Sequence, residues 1–173
     1  MKTRRATTTL LSLLAMAASA SSPAAPALRC TLAAPARVVA GEPVVLRFSF
    51  SNPGPSPLQV LRWNTPFEGA WLAPFVELTR DGRPVSYQGP MVKRAEPGPD
   101  SYLRIEAHSA ATAEIELAPA FDVSLPGRYL VQPRLHLADV RVARAGPVER
   151  PRAEHVGTDL ACPAVSFSVV PKP

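Results

Sequence analysis

The chain has 173 residues, a length that suits one domain plus a targeting segment. Its formal charge of +5 overstates how basic it is, because three basic and no acidic residues fall in the first 20 and leave +2 on the remainder. That balance, with no interleaving of aromatic and basic residues, excludes an electrostatic footprint for nucleic acid.

Residues 1–20 read as a secretory signal. Lys2, Arg4 and Arg5 form the basic start, Leu10 to Ala18 a short apolar run, and Ala18-Ser19-Ala20 a cleavage site. The run is too short to span a membrane, and no later stretch is long and apolar enough. Thr3-Arg4-Arg5 has the arginine pair of a twin-arginine signal without the apolar residues that follow it, so ordinary secretion is expected. Arg29 stands before Cys30 where a lipid-anchor site wants a small residue. The mature chain is therefore expected outside the cytoplasm, secreted or periplasmic. Residues 21–27, all Ser, Pro and Ala, are a flexible lead-in. Two cysteines remain after cleavage, and in an oxidising compartment a pair is most simply a disulfide. Cys30–Cys162 would tie the first strand to the last; free thiols or a metal pair are the alternatives.

Strands follow in order. Leu28 to Leu32 carries Cys30, and Arg37-Val38-Val39 continues it before a turn at Gly41-Glu42. Along Pro43 to Phe50, Val44, Leu46, Phe48 and Phe50 face one way and Arg47 and Ser49 the other, a strand with one face on a core. Ser51-Asn52-Pro53-Gly54-Pro55 turns the chain into a strand over residues 57–63. Asp81-Gly82 between β-rich runs at residues 74–79 and 84–87 is a hairpin signal. A Pro- and Gly-rich loop spans residues 88–100. Tyr102 to Ile105 and Ala113 to Leu117 are two short strands about a turn at His108-Ser109. Tyr129, just after Pro126-Gly127, suits a tyrosine corner. Residues 138–160 read as a long irregular connection with a stray strand at Val140 to Val142, and Ala164 to Val170 alternates again. No segment keeps a helical period, and 21 prolines far exceed ordinary usage of about 5 per cent. The expected fold is one all-β antiparallel sandwich over residues 28–170.

The strand at Val60-Leu61-Arg62-Trp63 runs into Asn64-Thr65-Pro66-Phe67-Glu68-Gly69. Trp63 is large enough to anchor one side of a small core. Asn64 and Pro66 stop the ladder, Phe67 folds back under the loop, and Gly69 supplies a tight bend. This junction either only builds the fold or shapes a surface for a partner.

Chemistry is hard to place on this chain. His108, His136 and His155 are dispersed, with no second His at i+4 and no helix to present them, so no metal site or other cofactor is expected. There is no G-x-S-x-G and no phosphate-binding glycine loop. Glu114 and Glu116 sit at strand spacing on one solvated face. A non-enzyme is expected.

Several phrases line up in sequence: Arg62-Trp63-Asn64-Thr65-Pro66-Phe67-Glu68-Gly69, Phe75 to Gly82, Val85-Ser86-Tyr87-Gln88-Gly89, Val92-Lys93-Arg94, Pro99-Asp100-Ser101-Tyr102, and Phe121 to Tyr129. Over residues 43–132 the series resembles the non-catalytic amino-terminal domain of bacterial secreted metalloendopeptidases of the deuterolysin, or aspzincin, type. The resemblance implies an Ig-like domain of the kind that precedes a zinc catalytic domain with H-E-x-x-H and G-T-x-D, here expected to stand without it. Gly157-Thr158-Asp159 lacks the intervening residue of the second signature, so no zinc ligand carries over. It further implies a companion of such a peptidase, inhibitor or chaperone-like. Lys93 would enter an acidic specificity pocket as a substrate mimic, with Arg94 and Trp63, Asn64, Thr65, Pro66 and Phe67 framing the contact. The plainer alternatives are a solvated Lys93, or one whose stem packs on Tyr87. An envelope-associated module that binds another protein, or a remnant of a longer protease, are the competing expectations for the whole chain.

Overall fold

The computed structural model describes residues 28–146 and 150–173, so the expected leader and lead-in lie outside the described residues. Thirteen strands are present there: β1 (Arg29–Ala33), β2 (Arg37–Val39), β3 (Val45–Asn52), β4 (Leu58–Leu61), β5 (Val76–Arg80), β6 (Arg83–Val85), β7 (Tyr102–Ile105), β8 (Ser109–Glu116), β9 (Gly127–Pro133), β10 (Leu135–Leu137), β11 (Val140–Val142), β12 (Thr158–Leu160) and β13 (Val165–Val170). Three single-turn 3-10 segments are the helical elements among the described residues.

The fold is an all-β Ig-like sandwich. One sheet has the order β1-β3-β8 and the other β2-β13-β9-β5-β6. The alternation read in β3 holds: Leu46, Phe48 and Phe50 are fully buried, while Val45 and Arg47 are exposed. Phe48 lies edge-on to Phe75, the residue before β5, and within the second sheet Tyr129 of β9 stacks on Phe167 of β13. Each fully buried side chain of this size contributes roughly 1.5–3 kcal/mol.

All pairings between these strands are antiparallel except one. After β1 the chain crosses to the other sheet at residues 34–36, and β2 then lies parallel to β13. The hairpin is as read, for Asp81 and Gly82 both have positive φ, the geometry of a type I′ turn. The tyrosine corner is present too. Tyr129 is buried, and its hydroxyl donates to the Leu125 carbonyl at 2.7 Å. Tyr129→Phe leaves that carbonyl without its donor and is expected to lower the unfolding free energy by about 1 kcal/mol in urea titration.

Two readings need correction. Trp63 does not anchor the main core. It belongs to a satellite cluster with Leu61, Tyr102 and Ala138, while Trp71 fills the core, stacked on Phe75 at 4.3 Å. The stray strand at Val140–Val142 is present as read: it is β11, which joins β4 and β7 in a third sheet of order β11-β4-β7. The connection is not irregular to its end, however, because Thr158–Leu160 form β12, paired with β10. β12 is three residues long and follows a charged, proline-containing segment, which gives too little periodicity to register in sequence. The disulfide between Cys30 and Cys162 is formed.

Candidate functional site

The third sheet sits where the Trp63–Gly69 junction, the residue 88–98 loop and the 150–156 turn meet. Residues Pro66–Glu68 form a 3-10 turn capped by Thr65, whose Oγ1 accepts from the Phe67 amide and donates to the Arg62 carbonyl. Gly69 closes it with φ 73°. Phe67 folds under the loop as read, against Phe50 at 4.8 Å. Thr65 and Pro66 are buried, and both hold the turn.

Glu68 organises the junction. Its carboxylate accepts from the Asn64 amide at 2.8 Å and from Arg94 Nη2 at 2.7 Å. Arg94 also reaches Asn64 Oδ1 and lies over the Trp63 ring, 5.6 Å from its centroid. Its side chain is mostly shielded, so Arg94 is a structural strut and not a free cation. Its neighbour points the other way. Lys93 is exposed, as are Val92 and Met91, the latter at 76%.

This exposed triplet is fastened on both flanks. Before it, the Gln88 amide donates to the Ala120 carbonyl, the Tyr87 hydroxyl to the Pro90 carbonyl, and the Val92 amide to the Leu72 carbonyl. After it come Arg94 on Glu68 and the buried Pro97. The 150–156 turn adds a brace, since Arg152 Nη1 donates to the Arg94 carbonyl and the Arg152 amide to Glu96. The Arg152 guanidinium also approaches Trp63, 5.9 Å from the ring centroid.

That turn is itself fastened by a fully buried carboxylate. Asp139 accepts from the Tyr102 hydroxyl and the Val156 amide, both at 3.0 Å, and its Oδ2 lies 3.1 Å from Arg150 Nε as an ion pair without good hydrogen-bond alignment. Burial, then the Asp139 charge and its hydrogen bond, push the Tyr102 hydroxyl up to about 12. Tyr102 therefore stays a neutral donor at any ordinary pH. His155 completes the cluster, near the Tyr102 hydroxyl and edge-on to Trp63.

The other histidines lie elsewhere. His136 pairs with Asp159 across β10 and β12 on an exposed surface, a contact worth little, and His108 occupies the turn before β8 with φ 54°. Among the described residues no group of three or more His, Cys, Asp or Glu is placed to hold a metal ion.

Of the seven residues singled out in the sequence, all but Lys93 help fix the junction or its loop, and Lys93 stands free at the tip. Glu68, Arg152 and Asp139 were not anticipated. Glu68 lies within the Arg62–Gly69 phrase already quoted, and an acid there with a distant Arg94 was the available signal.

No family model matches the chain. An extracellular protease of Aeromonas hydrophila is 33% identical over 89 residues. Those residues are 51% of this chain, and the chain spans about a quarter (25%) of that relative. Among solved structures, a CARDB domain from Pyrococcus furiosus, determined in complex with di-metal ions, aligns with 85% of this chain and 89% of its own, at 12% identity and a TM-score of 0.32. No helix among the described residues is long and apolar enough to cross a membrane. With the disulfide and an extracellular relative, this is compatible with a secreted protein.

Proposed function

We propose that the chain is an exported, non-catalytic accessory domain that binds a secreted metallopeptidase of the deuterolysin type and restrains it. The supporting observation is the Met91–Lys93 tip, exposed between two fastened flanks. A loop already held in one shape loses little freedom on binding and resists the distortion that cleavage requires. Lys93 supplies the long cation for an acidic pocket, while Met91 and Val92 supply apolar contact on the side preceding it. The partial likeness to an extracellular protease supports the same reading, with the fold contributing shape and the peptidase contributing chemistry.

Titrating an aspzincin-type peptidase with the mature domain tests this. Inhibition is expected at micromolar domain. Lys93→Ala should weaken it by about thirtyfold, the effect of losing an interface hot spot of about 2 kcal/mol. Unchanged protease activity at micromolar domain, or a Lys93→Ala variant as potent as the parent, rejects the reading.

A further inference from the structure

β8 is an edge strand of the β1-β3-β8 sheet, approached by the Pro66–Glu68 turn and, at its end, by residues 69–72 and Pro90. The Leu117 amide donates to the Val44 carbonyl, and the register of β3 and β8 continues from that pair. Hydrogen-bonded pairs in an antiparallel ladder alternate. Leu46–Ile115, Phe48–Ala113 and Phe50–Ala111 therefore exchange bonds, and Ala110, Thr112 and Glu114 turn their N–H and C=O groups outward. Glu116 shares that parity, and its carbonyl is taken from outside by Trp71 Nε1 at 2.6 Å. The outward groups of Ala110, Thr112 and Glu114 have no hydrogen-bond partner among the described residues.

Four other edges are blunted. β6 carries Pro84, β2 is three residues long, β1 is tied to Cys162, and the Val140 amide of β11 donates to the Val156 carbonyl. β8 has no proline or lysine along Ser109–Glu116, and three of its residues are alanine, so a second backbone meets no bulky side chain. At its end lies a cavity of about 420 Å³ walled by Ala70, Trp71, Leu72, Ile115 and Pro119, with Glu114 and Glu116 on its rim. Glu114 is paired with Arg47 across the ladder at 2.5 Å, so the acidic character of this end comes from Glu116, which also borders a second hollow with Glu42 and Asp122.

We propose that β8 receives an extended basic segment of a partner protein as an added strand, with an apolar side chain of that segment in the cavity beside Trp71. Main-chain bonds to Ala110, Thr112 and Glu114 supply the affinity, and the acidic rim selects lysine or arginine over acidic residues. The assignment does not rest on the protease reading, since it concerns a different edge and is tested without a peptidase.

The test uses two short peptides, one alternating valine and lysine and the other valine and glutamate, read by fluorescence anisotropy and by amide exchange. The lysine peptide is expected to bind at least about tenfold more tightly and to protect the amides of Ala110, Thr112 and Glu114. Thr112→Pro removes an outward N–H that the ladder does not use, so binding should be lost while the urea unfolding curve is retained. Glu116→Lys, a surface charge reversal, should invert the peptide preference and decides the matter if the proline variant does not fold. Equal binding of both peptides, binding that survives Thr112→Pro in a folded variant, or no binding at millimolar peptide overturns the proposal. So does a dimer in sedimentation that Thr112→Pro dissolves, because a second copy would then own the edge.

Discussion

Replacing Cys30 and Cys162 with alanine is expected to lower the unfolding free energy by about 4–5 kcal/mol, the chain-entropy value for so long a loop. The two residues are 132 apart in sequence, so their bond encloses nearly the whole described domain. It also fastens an edge strand, because β1 has a ladder partner only in β3 and sends the chain across to the other sheet after Ala33. For a domain of ordinary stability, about 5–15 kcal/mol, that is a large share. Urea unfolding of the oxidised protein, the reduced protein and the double alanine variant separates the causes. Reduction keeps both sulfurs in the core and frees only the unfolded chain; alanine removes the sulfurs as well. Agreement between reduced protein and variant, both well below the oxidised form, identifies the cross-link as the stabilising element. A difference of under about 1 kcal/mol between oxidised and reduced protein contradicts the prediction.

What could be read in advance was what is decided locally. The period-two pattern of Val44, Leu46, Phe48 and Phe50, the Asp81-Gly82 turn and the Tyr129 corner each declare themselves within a few residues. What escaped depends on distant partners. Trp63 and Trp71 look alike in sequence, and partners distant in the chain separate them: Trp71 stacks on Phe75, meets Phe121 edge-on and donates to the Glu116 carbonyl 45 residues away. Lys93 and Arg94 are adjacent cations, and Glu68, Asn64 and Trp63 together turn Arg94 inward while Lys93 is left at the surface. The parity of β8 needs the register with β3, which no spacing within β8 reveals. Arg152 joins the loop from 58 residues away, through a turn whose own sequence is charged and aperiodic. The fold was therefore more legible than the site, because a site assembled from three separate segments leaves no local period behind.

Asp139→Ala is expected to cost about 3–5 kcal/mol, because it strands a cation. Asp139 is fully buried, and the Arg150 side chain beside it is only 19% exposed. Removing the carboxylate leaves Arg150 without its counter-charge, and the Tyr102 hydroxyl and Val156 amide without their acceptor. Asp139→Asn keeps the shape and one acceptor, and should cost less than alanine. Tyr102→Phe deletes a single donor and should cost about 1–2 kcal/mol, since the acceptor is charged. The decisive comparison is Arg150→Met in the Asp139→Ala background. If the penalty is chiefly an uncompensated charge, this second change recovers part of the lost stability in urea titration; if it is lost packing, the two losses add. The consequence reaches the surface. The same carboxylate holds the Val156 amide, and so anchors the turn from which Arg152 braces Arg94 and Glu96. Exchange at the amides of residues 91–96 should therefore rise in Asp139→Asn under conditions where the sandwich stays folded, and inhibition through Lys93 should weaken with it. A loop as protected as in the parent would show that Glu68 and the flanking backbone bonds hold it unaided.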